Sequence, residues 1–472
     1  MEVRPDILLV ELPPWDSGTA PLGLAYLTTY LKYKGIAAEV FDLNITMYNM
    51  ENDAKKKGWG NCDFHWWQSK ELQEKYSDVF EYFSDKILSF NSVTVGFSVI
   101  LPSVPFLNRL LECIKSKAPH KTVIAGGPGV FFLKNRLKDF DRRLIDYFVI
   151  GDGEIALYEL LRSLIRDGGL PLGGNSFCNV WTEDASSKSI CVQSPKIVDL
   201  DSIPSPTFEE FDLSLYREGS YTLPLIFSKG CTRRCTFCND RVVAYPYRCR
   251  KASYVVEDIK GYIRKYSNIN TFRINDLSMN ANLKFINELC DYILNEGLVI
   301  SWYGQAQVRP DMSDELLFKM KKAGLRQFDL GLESLSDNVL RLMRKGYSSV
   351  DAINFLKRCK DAGIETNVLL IVGYPGESED DFLETLENIR KNVAAIDRIG
   401  SLNICGMPLG SELNIHFREY NLVAFPDRDW VTADYSNTYS VRKRRYTDVI
   451  RLCNELNIGV EPCLDLDVFE EV

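Results

Sequence analysis

Histidine is scarce in this chain: 472 residues include three, at 65, 120 and 416. That excludes a catalytic or metal centre built from clustered imidazoles. An excess of positive charge is missing too. Lys and Arg total 56 against 65 Asp and Glu, a formal net charge of −9. A general nucleic-acid binder carries a basic face, because phosphate neutralisation dominates its affinity, so no nucleic-acid partner is expected. Arg442-Lys443-Arg444-Arg445, the one basic run near the C-terminus, is read as a solvated helix face. Long apolar runs are absent. Ile7–Val10 is typical, whereas a bilayer span takes roughly 20 residues. Met1 to Asp6 show no signal-peptide pattern. A cytoplasmic protein without a membrane partner is expected. The 13 Cys are odd in number and mostly scattered, which speaks against a disulfide framework.

What is present is an ordinary globular composition, with 45% apolar and 26% charged residues. At about 100–200 residues per domain, two or three domains are expected. The fold class expected is α/β: an N-terminal doubly wound, Rossmann-like (flavodoxin-like) sheet, a partial (β/α)6 TIM-like barrel, and a small C-terminal region. Within residues 1–170, Ile7–Val10, Val40-Phe41, Val93–Ile100, Val123–Ala125 and Tyr147–Ile150 read as buried parallel strands. Between them lie helical patterns, such as the one opened by Pro21 with Leu24, Leu27 and Leu31 on one face and Gly35 as its stop. Such a sheet binds ligands beyond the C-terminal ends of its strands. Residues 45–90 interrupt the alternation with an aromatic-rich insert (Trp59, Phe64, Trp66, Trp67), read as a helical pair with its own small core or as a lid.

Residues 171–220 read as a connector, since Ile203-Pro204-Ser205-Pro206 cannot continue a helix. From 221 to 410 a second series follows, with strands at Leu225–Ser228, Thr271–Asn275, Val299–Tyr303, Gln327–Leu332, Asn367–Val372 and Ile399–Ile404. Ser313 and Ser378 stand as helix N-caps. Six βα units suggest a barrel or partial barrel with its chemistry on the loops after the strands. Residues 411–472 are less regular.

One loop concentrates chemistry. After the first strand of the second series come Cys231, Cys235 and Cys238, spaced CxxxCxxC. Soft thiolates this close suit an iron–sulfur cluster or zinc. Structural zinc takes four protein ligands, and the nearest further Cys is Cys249. Three thiolates on a four-iron cluster leave one iron open to a substrate or cofactor.

This loop and the series behind it resemble the radical SAM superfamily. The resemblance implies a [4Fe-4S] cluster on Cys231, Cys235 and Cys238, with S-adenosylmethionine (SAM) chelated to the open iron. It implies that Phe237 lies against the adenine. It also places Asn275 and Asp276, ending the second strand, near the methionine amino group, although the stricter Gly-Gly-Glu form is absent. Glu333 and Ser334 end the fourth strand near the ribose and methionine. Gly373 and Tyr374 follow the fifth near the adenine, while Gln305 and Arg309 come within reach of the SAM carboxylate. For each of these the plain alternative is a residue that shapes a turn or caps a helix.

Residues 5–165 resemble the cobalamin-binding domains fused in front of such barrels. The likeness rests on Leu12-Pro13-Pro14-Trp15, Pro21–Leu27, Gly126-Gly127-Pro128 and Gly151-Asp152-Gly153-Glu154. It implies cobalamin contacts from Pro14, Trp15, Leu22, Ser98, Gly126, Gly127, Gly151, Gly153 and Glu154. The DxHxxG signature that supplies an axial His to cobalt is absent, so no protein His is expected on the metal. A cobalamin-free scaffold domain is the alternative.

The two resemblances together imply a methyltransferase. A 5′-deoxyadenosyl radical would activate a carbon of a small molecule or peptide, methylcobalamin would donate the methyl group, and flavodoxin or ferredoxin would supply electrons. Cyclisation or rearrangement with the same cofactors, and a cobalamin-free radical SAM enzyme, are the alternatives. Cys405, after the sixth strand, is read as a packing residue or as a group facing substrate.

Overall fold

Ile7–Glu11 (β1) is buried at all five positions, the pattern of a strand covered on both faces. In the computed structural model it pairs in parallel with Ala38–Asp42 (β2) on one side and Thr94–Ser98 (β3) on the other. Thr122–Gly126 (β4) and Tyr147–Ile150 (β5) continue the sheet. The structure describes residues 4–52, 56, 59, 77–131, 139–167, 179–181, 190–240, 244–423 and 430–462. Residues 53–55, 57–58 and 60–76 of the 45–90 insert, with Phe64, His65, Trp66 and Trp67, therefore lie outside the described residues, as does Cys463. Two units divide at residue 221.

The described part of the first unit is a seven-stranded sheet in the order β2-β1-β3-β4-β5-β7-β6. Its last two strands, Asn179–Trp181 (β6) and Ile190–Gln193 (β7), come from the stretch read as a connector. All neighbours are parallel except β6 and β7, which pair antiparallel. Those strands are three and four residues long, too short to leave a periodic signal. The order reverses between β1 and β3, where an open parallel sheet has its binding crevice. The helix Leu22–Tyr33 starts after Pro21 and ends before Gly35, whose φ is +82°.

The second unit is built on seven parallel strands in simple succession: Thr222–Leu225 (β8), Thr271–Ile274 (β11), Ser301–Ala306 (β12), Leu325–Glu333 (β13), Glu365–Val372 (β14), Arg398–Ile404 (β15) and Gly459–Pro462 (β18). Between β8 and β11 lies a short ribbon, Ser228–Lys229 (β9) against Arg248–Cys249 (β10). A second ribbon joins Leu422–Val423 (β16) and Val431–Thr432 (β17). The sequential order is that of a barrel, open between β8 and β18 among the described residues. The tail thus adds a seventh strand to the six expected.

The segment 225–228, expected as one strand, is split. Asp276 accepts the Phe227 N–H, which draws the backbone out of the ladder. On β13 and β14 buried positions alternate. Phe328, Leu330 and Leu332 form one face. On the other, Asp329 Oδ1 accepts from Gln327 and Asn367. The caps expected at Ser313 and Ser378 are in place; each hydroxyl accepts a backbone N–H of its first turn. No described helix is long and apolar enough to cross a membrane.

Candidate functional site

The cysteine loop leaves the barrel at Gly230, whose φ is +97°. A Cβ there would stand 2.8 Å from Ala244 O and 2.9 Å from Tyr247 Cα, so only glycine lets the two arms of the β9–β10 ribbon close the loop. Asp276 holds the base of this ribbon. Its Oδ1 accepts the Phe227 N–H at 2.8 Å and its Oδ2 accepts the Ser228 hydroxyl. Burial pushes its carboxyl up to about 6. Both oxygens are thereby committed to placing the chain that leads into Cys231.

Cys231, Cys235 and Cys238 are half-buried, and none of the three is in a disulfide. The Arg233 N–H points at Cys231 Sγ at 3.4 Å. Burial raises the Cys235 thiol, while Lys345 draws it down. The loop is pinned from several sides. Arg233 bonds Gln307 and the Val308 carbonyl. The Thr236 N–H reaches Met343 O, and Thr236 Oγ1 lies 2.6 Å from the Tyr374 hydroxyl. Asn239 reaches Leu409 O. Among the described residues no group of His, Cys, Asp and Glu converges as the ligands of a single ion do. A four-iron cluster takes one thiolate per corner, so it does not ask for that convergence. Three thiols on one loop, with a fixed cation beside them, are a donor set that fits it.

Phe237 is partly buried against Val339, Met343, Tyr374, Cys405, Met407 and Trp430. Lys345 Nζ stands 5.8 Å from its ring centroid and 3.2 Å from Glu333 Oε1. Burial works to deprotonate this lysine, but neighbouring Tyr347, Glu333 and Cys235 outweigh it and hold the ammonium above the ordinary value. Glu333 itself sits at φ +67°, a left-handed conformation uncommon for a side-chain-bearing residue. Tyr347 bonds the Gly331 and Leu332 carbonyls behind it. Sequence reasoning missed Lys345. The signal in the sequence was slight: Lys345 stands between Arg344 and Gly346, twelve residues after Glu333 and just past the helix Asp337–Leu342.

The other residues proposed for SAM divide in two. Asn275 and Gln305 end β11 and β12 with exposed side chains. Others are engaged within the protein. Arg309 bonds the Asn280 and Ala281 carbonyls and pairs with Asp311. Ser334 lies 3.2 Å from Thr385 Oγ1 and accepts the Ser336 N–H. Tyr374 is fully buried, and its hydroxyl also donates to Leu342 O. Cys405 is buried, its thiol pushed up to about 12 by desolvation, and Trp430 Nε1 donates to its carbonyl.

The run Arg442–Arg445 corrects the sequence reading. Arg442 and Arg445 are 0% and 2% exposed, and only Lys443 and Arg444 lie outward. Arg445 pairs with buried Glu377, and the Arg442 guanidinium lies 3.8 Å over the Trp430 ring.

In the first unit, the residues proposed for cobalamin follow the C-terminal ends of the strands. Ser98 ends β3 opposite Gly126 of β4. Gly127, at φ +97°, packs so close to Val99 that a Cβ would meet its carbonyl at 2.8 Å. Gly151, at φ +100°, follows β5. Pro14 and Leu22 are buried, and the Trp15 N–H donates to Asn44 Oδ1. Gly153 opens the helix Gly153–Asp167, with Glu154 buried in its first turn. Two acids beneath this edge were not foreseen. Glu11 ends β1 in register with Asp42 and Ser98. Asp42 accepts the Tyr216 hydroxyl at 2.6 Å. Burial pushes Asp42 up to about 6 and Glu11 well above its ordinary range. His120 is exposed just before β4, at the opposite edge from these loops.

Residues 225–389 match the Radical SAM superfamily. This part of the chain is a radical SAM domain. The match begins in β8 and takes in the cysteine loop, Glu333, Lys345 and Tyr374. An uncharacterised methyltransferase of Pyrococcus horikoshii is 24% identical over 394 residues, covering 81% of this chain and 78% of the relative. The anaerobic magnesium-protoporphyrin IX monomethyl ester cyclase of Rubrivivax gelatinosus is 25% identical, over 65% of this chain and 55% of its own length. The fold of both units is shared with two solved enzymes. One is TsrM, the radical S-adenosylmethionine methyltransferase of Kitasatospora setae, solved with cobalamin and a [4Fe-4S] cluster (TM-score 0.63, 19% identity, 89% of this chain and 76% of that one). The other is the cobalamin-dependent enzyme OxsB, solved with aqua-cobalamin and S-adenosylmethionine (TM-score 0.60, 16% identity, 96% and 62%). In the chain, the segment that matches the Radical SAM superfamily follows a Rossmann-like sheet.

Proposed function

We propose that the protein is a cobalamin-dependent radical SAM methyltransferase acting on a carbon of a small molecule or peptide. The observation that carries this reading is the three-thiol loop, closed by the β9–β10 ribbon within a segment that matches the Radical SAM superfamily. When bound, the cluster with SAM supplies a 5′-deoxyadenosyl radical, and methylcobalamin a transferable methyl group. The chain's part is to hold and orient. Cys231, Cys235 and Cys238 hold the cluster, and Lys345 keeps a positive charge beside them. Phe237 offers a flat apolar surface to the adenine. Glu333, with exposed Asn275 and Gln305, supplies polar contacts to the methionine and ribose, and Gly373 lets backbone approach. Trp15, Ser98, Gly126, Gly127, Gly151 and Gly153 would border the cobalamin. Electrons come from a flavodoxin- or ferredoxin-type donor. The odd number and scattered placing of the cysteines suit a cytoplasmic location.

A second reading, cyclisation or rearrangement with the same cofactors, is favoured by the likeness to the cyclases. Anaerobic reconstitution with iron, sulfide, cobalamin and a low-potential reductant tests both. Released 5′-deoxyadenosine supports a radical SAM enzyme, and its persistent absence overturns that reading. With methyl-deuterated SAM and a metabolite extract, a product in which a CD₃ group has replaced one hydrogen supports methyl transfer. An unlabelled product whose formation depends on the enzyme selects the second reading.

A further inference from the structure

The loop Gly373-Tyr374-Pro375-Gly376-Glu377 leaves β14 on the side where the C-terminal helix, Tyr439–Glu455, packs. It is held there through backbone groups of Gly373, Tyr374 and Glu377. Glu377 Oε2 accepts the Gly373 N–H at 2.6 Å, closing the loop on itself. Arg445 Nη1 donates to the same oxygen at 2.7 Å and to the Glu377 carbonyl at 3.2 Å. Asn437 Nδ2 donates to the carbonyls of Gly373 and Tyr374, at 3.1 and 3.2 Å. Arg442 in turn fixes Asn437 through its Oδ1 and fixes itself through Trp430 O at 2.8 Å. A Cβ on Gly373 would lie 2.2 Å from Arg442 Cγ, so the bare glycine is what admits the arginine stem. The loop then transmits this restraint, because the Tyr374 hydroxyl meets Thr236, between Cys235 and Phe237.

Two buried guanidiniums are a costly way to pack a helix, since apolar side chains of similar volume often stabilise as well or better. What they contribute here is direction: the bonds of Arg445 and Asn437 converge on one loop and its carbonyls, and Arg442 holds Asn437 in place. We propose that Arg442, Arg445 and Asn437 are positioning residues that preset the 373–377 loop for the nucleoside of SAM. This rests on the reading above that the loop borders the adenine.

The test has two arms. In the chain as purified, without cluster or SAM, Asn437→Ala speeds hydrogen–deuterium exchange across 371–378 on the order of tenfold, through the loss of two hydrogen bonds. In reconstituted protein, the electron paramagnetic resonance signal of the reduced cluster is titrated with SAM. Asn437→Ala and Arg445→Met raise the SAM dissociation constant and KM about tenfold while kcat for 5′-deoxyadenosine release changes by less than about twofold. Arg445→Lys, which keeps the charge against Glu377, recovers part of the affinity. Arg445→Met strands Glu377 in the core; should it fail to fold, Asn437→Ala, which leaves no charge behind, decides. Exchange and SAM affinity equal to the parent's in Asn437→Ala overturn the inference. A parent protein with no SAM-dependent signal overturns the proposed function and, with it, the SAM role assigned here.

Discussion

Lys345 Nζ stands 3.2 Å from Glu333 Oε1, with the two side chains 7% and 12% exposed. A pair so placed is held less for stability than for what each charge does to its surroundings, because desolvation offsets most of the attraction. The ammonium borders Phe237 and Cys235, so this buried cation belongs to the cysteine loop as much as to Glu333.

Lys345→Met leaves Glu333 buried without its partner and should lower the unfolding free energy by about 3 kcal/mol, the usual range for one half of a buried pair. Lys345→Arg keeps the charge and should cost less. Chemical denaturation of the cofactor-free chain measures this. Methionine at 345 with unchanged stability would mean that Glu333 is solvated in solution.

Replacing Cys231, Cys235 and Cys238 together by alanine should abolish iron incorporation on reconstitution. The same replacement should shift the unfolding midpoint of the cofactor-free chain little, because these thiols are half-buried and leave no large cavity. Iron content and denaturation are the measurements. Retained stoichiometric iron would remove these ligands from the account.

Gly230→Ala places a Cβ at φ +97°, 2.8 Å from Ala244 O. The strain, about 1–3 kcal/mol, falls on the ribbon that aims the cysteines. Iron incorporation should drop severalfold although every thiol is retained, and parallel iron assays of this variant and the parent decide it.

Asp42 is wholly buried and its carboxyl is raised to about 6 from 3.8. An acid whose pKa is higher folded than unfolded favours folding while protonated. That contribution is complete below pH 3.8 and is lost as the pH climbs through 6. A shift of about two units corresponds to about 3 kcal/mol. Asp42→Asn should therefore gain on the parent, by up to that amount, between pH 4 and pH 7. Urea unfolding across this range reads the difference; parallel curves for the two proteins would show Asp42 ionised without penalty.

Local chemistry was legible in the sequence. Cys231, Cys235 and Cys238 lie within eight residues, so their spacing could be read directly. The strands Ile7–Glu11 and Glu365–Val372 announce themselves by apolar runs, and Ser313 and Ser378 cap helices through contacts three residues away. These are short-range interactions, and a linear reading captures them.

Other roles depended on partners far along the chain. Asp276 was legible as a strand-end acid, but its engagement with Phe227 and Ser228, 49 and 48 residues away, was not. Arg442 and Arg445 look like a solvated basic run until Trp430, Gly373 and Glu377 close over them. Lys345 gains its meaning from Cys235 and Phe237, on another loop. Sequence alone thus determined which groups could bind iron and where the longer strands lie. Tertiary structure decided which charges are buried and what each one holds, because burial and pairing arise only when distant segments exclude water together.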